Sequence, residues 1–165
     1  MDASVGIAFF YFFYFSEFYQ TVYGETLDNI NISKEQLLNN FKLAKDKQLT
    51  LAGLLLFGTQ VESIKPQFGI KGTRYFNENE FWDKEDIGGK LPEPQKKGVD
   101  FILRNLKRRQ ISNDFNAPGE LEIPMLVVKE AVANALVHRD YFINSSIFIN
   151  NYVDKRIKRI LNRNN

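Results

Sequence analysis

Apolar residues along this chain fall into stretches of changing period, and each change of period marks an element. The first stretch has no period at all: nine of the eleven residues from Phe9 to Tyr19 are aromatic, with neither a helical repeat nor a strand's alternation. From Asn31 the text becomes regular. Ser33 with Gln36 three residues on is a capping-box start, and apolar residues at 37, 38 and 41 predict a short amphipathic helix over Lys34 to Leu43. Thr50 is placed to cap a second helix, Leu51 to Phe57, which Gly58 ends. Its apolar residues are almost continuous, so it is expected to be buried.

Pro66 to Phe76 alternates through Phe68, Ile70 and, more weakly, Tyr75, which predicts a strand running into a charged loop from Asn77 to Gly89. Helical spacing returns over Gln95 to Arg109 through Val99, Ile102, Leu103 and Leu106. Asn113 to Gly119 is rich in turn formers, and Pro124 opens a further helix reaching Arg139. A turn at Asn144 and Ser145 then leads to an alternating strand, Ser146 to Val153. These elements predict an α+β fold in which the Pro124 to Arg139 helix packs on a small antiparallel sheet containing Ser146 to Val153.

Composition narrows the chemistry. The 165 residues, 44% hydrophobic and 25% charged with a formal charge of +2, suit one domain or two small modules and mark no particular partner. With no cysteine and one histidine, His138, disulfide frameworks, thiolate zinc sites and multi-histidine metal clusters are excluded. The longest apolar run, Val5 to Phe15, falls well short of the roughly 20 residues a spanning helix needs and lacks the basic flank of a secretory signal. No membrane association and a cytoplasmic setting are therefore expected. The aromatic opening reads as a core strand or as translation of a damaged upstream frame, with a membrane-surface or partner-binding patch as the alternative.

Chemistry concentrates on the Pro124 to Arg139 helix. Glu130, Asn134 and His138 each lie four residues from the last and so share one stripe, while nearly everything around them is Leu, Val or Ala. A helix apolar on all sides is expected to be buried, and a buried carboxylate and amide would need a partner, water or a ligand. An acid and an amide so placed can polarise a water and hold a metal ion, the two needs of nucleotide hydrolysis. As a bare pattern this spacing is more often a structural polar stripe.

The words around that stripe say more. Lys129 to Tyr141, KEAVANALVHRDY, resembles the REALVNALVHRDY signature of RecG-like ATP-binding regulators. These proteins join a Schlafen-type, AlbA-like DNA-binding domain to a divergent ATPase domain of the gyrase, MutL and histidine-kinase (GHKL) class. LTLAGLLLFG at residues 49–58 is similar to the family's connecting segment, and KPQFGIKGTRYF at residues 65–76 to the strand after it, so the likeness spans roughly residues 30–157. It implies a helical and strand linker followed by part of a Bergerat-type α/β sandwich, divided as residues 1–30 (aromatic segment), 31–110 (connecting module) and 111–165 (partial ATP-binding domain).

Carried over by position, the resemblance makes Glu130 the carboxylate that activates water and Asn134 the magnesium ligand. It places His138, Arg139 and Asp140 at the family-specific end of the motif, as candidate nucleotide contacts. Read from the residues alone, Arg139 and Asp140 fix the turn by hydrogen bonding. Lys129 replaces the usual arginine. The family text then runs on to an RIEIxNPGG-like segment, whereas no glycine follows Asn134 here. Glycine-rich turns present the amides that cradle phosphates. The expectation is thus a truncated chain whose basic ending and aromatic opening resemble frame-shifted text. ATP and magnesium would belong to the intact family domain, with neither held tightly by this chain. DNA would be contacted through the full-length protein, and a homo-oligomer is left open. The rival expectation is a DNA- or RNA-binding accessory protein using Arg104, Lys107, Arg108 and Arg109 with Lys155, Arg156, Lys158, Arg159 and Arg163, although a basic run at a helix end is more often a solvated face.

Overall fold

The computed structural model describes residues 5–77, 80–109, 119–152 and 159–162, the last as a backbone strand only. They form two compact units: residues 1–66 with 89–91, and residues 67–88 with 92–165. The expected divisions at 30/31 and 110/111 do not coincide with these. The aromatic opening is built into the first unit, and the later boundary cuts through the second.

The first unit contains α1 (Phe12–Tyr23), α2 (Lys34–Asn40), the two-residue strands β1 (Ala44–Lys45) and β2 (Gln48–Leu49), α3 (Leu51–Phe57) and α4 (Val61–Ile64). The aromatic run is a helix rather than the expected core strand, closed by Gly24 in the left-handed conformation at φ 73°. Its lack of period has a physical reason. One ring, Phe15, is wholly buried, edge-on to Phe57 at 5.1 Å, Phe41 at 5.4 Å and Phe10 at 5.5 Å, while Phe13, Phe18 and Tyr23 of the same helix stay exposed. The core is completed by Leu37, Leu38, Leu43 and Ala44.

Both sequence-encoded caps are present. Ser33 and Gln36 make the reciprocal capping box of α2, and the Thr50 hydroxyl accepts from the Gly53 amide at 3.1 Å to start α3. Gly58 follows α3 in extended rather than left-handed conformation. Burial of α3 is one-sided: Leu54, Leu55 and Phe57 are covered, Leu51 and Ala52 are not.

The second unit is α+β. A four-stranded sheet has the order β4 (Phe81–Ile87), β3 (Ile70–Tyr75), β7 (Ile147–Tyr152), β8 (Arg159–Asn162). Helices α5 (Pro92–Asn105) and α6 (Met125–Val137) lie between its halves in sequence, as does a small hairpin of β5 (Arg108–Arg109) with β6 (Glu120–Leu121). The sheet is mixed, not antiparallel: β3 and β7 run parallel with Ile70 opposite Ile147, because the chain crosses over through α5 and α6 before returning. The predicted strand at the C-terminal end is present as β7, its residues alternating between buried and half-buried.

Within the segment expected as a loop, residues 77–89, Phe81–Ile87 form strand β4. Its alternation is one of charges: Asp83 and Glu85 turn toward α5, Lys84 and Asp86 toward water. Similarly, α5 ends at Asn105 rather than Arg109, since Arg108 and Arg109 pair with β6. Helices and sheet converge at Gly98, where an added Cβ would lie 3.0 Å from Ile70 Cδ1, 3.3 Å from Val132 Cγ1 and 3.6 Å from Ile149 Cδ1. Most of the turn-rich segment Asn113 to Gly119 lies outside the described residues.

Candidate functional site

Helix α6 presents a buried stripe of Val128, Val132 and Leu136, each four residues from the last, to the core of the second unit. The opposite side carries Glu130, Asn134 and, at the helix end, His138, all exposed. Sequence spacing is therefore right about the shared stripe and wrong about its burial. Leu126, Val127 and Val137 are 66%, 50% and 73% exposed, so the outward side of this helix mixes large apolar residues with Glu130 and Asn134. A solvated carboxylate and amide carry no desolvation cost that would demand a ligand.

The turn after α6 is where the buried chemistry lies. Arg139 is only 6% exposed, and its Nη2 donates to the carbonyls of Gln67 (3.2 Å), Ile143 (3.3 Å) and Ser145. Its guanidinium lies against the rings of Phe68, 4.5 Å away, and Tyr141, 5.2 Å away, which meet each other edge-on at 5.5 Å. Nη1 is buried without a hydrogen-bond partner. Burial pulls the Arg139 guanidinium below its ordinary pKa, against a smaller raising influence of Tyr141. Burial likewise pushes the Tyr141 phenol up, and that hydroxyl donates to the Leu136 carbonyl at 2.7 Å. Asp140 Oδ1 accepts from the Phe142 amide at 2.8 Å, which makes the sharp bend. The structure thus engages Arg139 and Asp140 in the turn itself, as their residue chemistry suggested, and pins that turn to the residues leading into β3.

The basic candidates separate. Arg104 Nε meets Asp83 at 2.9 Å and Nη2 meets Glu85 at 2.5 Å, so its charge is neutralised within the unit. The Arg104 hydrogen bond holds the Asp83 carboxyl below its ordinary pKa, and the same bond raises that of Arg104. The Lys107 amide donates to Glu122 at 3.0 Å, and Arg108 Nη1 reaches the Gly119 carbonyl at 3.4 Å. Arg108 and Arg109 point outward from β5. Of the tail cations, Arg159 lies in β8, while Lys155, Arg156, Lys158 and Arg163 fall outside the described residues.

Sequence reasoning missed a polar network below the end of α5. Asn105, 5% exposed, donates to Asp83 at 2.7 Å and to the Phe101 carbonyl at 2.9 Å, and accepts at 3.4 Å from Arg74. Asn151 of β7 donates to the Asn105 carbonyl at 2.7 Å. The only signal in the text was an asparagine interrupting the apolar spacing near Leu106.

Nucleotide and magnesium were tested against these residues. Glu130 and Asn134 offer oxygens from one exposed helix face, which suits the outer water shell of a magnesium ion. The phosphates do not fit: among the described residues the nearby buried cation is Arg139, whose Nη2 is committed to backbone carbonyls and whose Nη1 is buried. No group of three acidic, histidine or cysteine side chains that could hold a metal occurs among the described residues. Nor is any described helix long and apolar enough to cross a membrane.

No family model matches the chain, and no curated protein does. Among solved structures, the crystal structure of the DIP2311 protein from Corynebacterium diphtheriae, a structural genomics target, is similar at a TM-score of 0.48 and 21% identity. The match covers 73% of this chain and spans 23% of the length of that one.

Proposed function

We propose that this chain carries the asparagine-bearing motif helix of a divergent, GHKL-type ATP-binding domain, as found in RecG-like, Schlafen-type regulators, without being a working ATPase by itself. The observation that supports the reading is that Glu130, Asn134 and His138 share the solvent-facing stripe of α6, the side on which a bound nucleotide would have to lie. The sequence likeness over Lys129 to Tyr141 supplies the roles: Glu130 toward water, Asn134 toward magnesium. Arg139 and Asp140 serve the turn that follows and are not nucleotide contacts in this reading. DNA contact would belong to the whole regulator. The accessory nucleic-acid reading is the weaker, since Arg104 is already paired with Asp83 and Glu85.

Calorimetry of the full chain with magnesium and ATP tests the proposal. Binding should be no tighter than the millimolar range, about −4 kcal/mol, because phosphate-cradling amides and an adenine pocket supply most of a nucleotide's affinity. What weak binding there is should disappear in Glu130→Ala and Asn134→Ala. Micromolar binding, or steady turnover, would overturn the non-catalytic part; millimolar binding indifferent to both substitutions would overturn the assignment of the stripe.

A further inference from the structure

Both helices of the second unit lie on one side of its sheet, that of Ile70, Gly72 and Ile149, where Gly98 meets Ile70 and Ile149 and the Phe101 ring meets Gly72. Side chains alternate between the faces of a strand, so the opposite side is that of Lys71, Thr73 and Tyr75 in β3 and of Asn150 and Tyr152 in β7. In β4 it holds Lys84, opposite Thr73, and, beyond the bulge, Phe81, opposite Tyr75.

These positions sort into rows that cross the strands. Phe81, Tyr75 and Tyr152 form an aromatic row: Phe81 is 58% exposed, and the half-buried Tyr75 and Tyr152 stack at 4.9 Å with their planes 12° apart. The neighbouring row is Lys84, Thr73 and Asn150, a cation beside a hydroxyl and an amide. Lys71 stands in the row after that, its ammonium 3.4 Å from Asp86. The other acids of β4, Asp83 and Glu85, are turned to the helix side and neutralised by Arg104, which leaves Lys84 as an exposed cation on the open side.

An apolar protein surface laid on this face would cover the rings but desolvate the row of Lys84, Thr73 and Asn150 without partners. A polynucleotide strand with unpaired bases satisfies both rows. Every base has a π-face that stacks on an aromatic ring, base edges offer donors and acceptors to Thr73 and Asn150, and the backbone is anionic where Lys84 and Lys71 are cationic. The geometry points to a binding face for single-stranded nucleic acid on the open side of the sheet, with bases on Phe81, Tyr75 and Tyr152 and phosphates along Lys84 and Lys71. It uses none of the cations at the end of α5 and neither Glu130 nor Asn134, so it stands or falls apart from the nucleotide reading.

Fluorescence anisotropy of the full chain with labelled oligouridylate and oligothymidylate, each of about 12 nucleotides and without magnesium or ATP, tests this face. A dissociation constant on the order of 10–100 µM is expected for at least one probe, and the tighter of the two tells RNA from DNA. Two lysine contacts give a log–log salt slope between about −0.7 and −1.4, and Lys84→Gln should lower it by about 0.7. Phe81→Ser, at an exposed position, and Tyr152→Ser should each weaken binding roughly fivefold or more, whereas Tyr152→Phe, which keeps the ring, should hold it within about twofold. Circular dichroism checks each fold; should Tyr152→Ser unfold, the Phe81→Ser and Tyr152→Phe results decide. No binding of either probe up to about 1 mM overturns the proposal. So does binding indifferent to Phe81→Ser, a duplex bound as tightly as a single strand, or a slope steeper than about −3, which would put the phosphates on cations elsewhere in the chain.

Discussion

Replacing Arg139 with methionine removes the donors of a buried side chain while keeping much of its volume, which isolates the contribution of the guanidinium. In the native turn Nη2 serves three carbonyls, of which Gln67 also accepts from the Ser146 hydroxyl at 3.3 Å and Ile143 from the Ser145 amide at 2.9 Å. Leaving the Ser145 carbonyl without that donor costs about 1–3 kcal/mol, reduced where water can enter, and the Ile143 carbonyl, which keeps the Ser145 amide, loses a bond of about 0.5–1.5 kcal/mol. Loss of the ring contacts with Phe68 and Tyr141 adds about 0.5–1 kcal/mol apiece. Against this, methionine relieves a buried charge that has no carboxylate beside it and an Nη1 with no acceptor, a return of about 1–3 kcal/mol. The balance is a destabilisation of about 2 kcal/mol for Arg139→Met, with Arg139→Ala about 1–2 kcal/mol worse through the cavity it leaves. Trp82, the only tryptophan, lies in β4 of the same unit, so its fluorescence during urea unfolding reports this unit specifically. A methionine variant as stable as the native chain would refute the argument, because it would mean that removing the buried charge outweighs everything the guanidinium holds.

Three further outcomes follow from the same unit. Tyr141→Phe should cost about 1 kcal/mol through the lost bond to the Leu136 carbonyl. The native phenol's raised pKa also means that its contribution is present below pH about 10 and is lost as pH rises through the folded value, so the variant should unfold less steeply in alkali. Asp83, whose pKa is lowered chiefly by Arg104, contributes stability above its ordinary pKa that is lost as pH falls through the folded value. Asp83→Asn should flatten the loss of stability between neutral pH and about pH 3, by no more than about 1 kcal/mol because the Arg104 side of the pair is solvent-exposed. Gly72→Ala would put a Cβ 2.8 Å from the fully buried Phe101 ring and should destabilise by about 1–3 kcal/mol in the same urea assay.

The text of the chain discloses those parts of the fold that local chemistry controls. Ser33 with Gln36 and Thr50 with Gly53 are bonds between near neighbours, so the residues that form them stand together in the sequence. The strand β7 was legible because a β-branched and aromatic run, Ile147 to Ile149, follows directly on the turn at Asn144 and Ser145, even though the buried Asn151 breaks the alternation of apolar and polar residues. β4 was not, since Asp83 and Glu85 are acceptable on the helix-facing side only because Arg104, 21 and 19 residues away, neutralises them there. Helix α1 misled for the opposite reason: aromatic residues on every side erase the period even though only Phe15 is wholly covered. At the candidate site, the spacing correctly gathered Glu130, Asn134 and His138 on one side of α6. What it could not give was the direction of that side, because Leu126, Val127 and Val137 make the exposed face read like a core face.

The parallel pairing of β3 with β7 also bears on how the second unit comes into being on a ribosome. β3 and β4 are joined by a short hairpin and can pair as soon as both emerge, but the neighbour on the other side of β3 begins at Ile147, sixty residues after Ile87. At roughly 5–20 residues per second the hairpin must wait about 3–12 seconds with one backbone edge unmatched. During that interval Ile70 and Gly72 have no β7 to cover them, and long-range closure of this kind is the slow step of sheet formation. Synonymous codon changes that slow translation across α5 and α6 should therefore lengthen the exposure of that edge and raise the fraction lost to aggregation, while leaving the finished molecule unaltered.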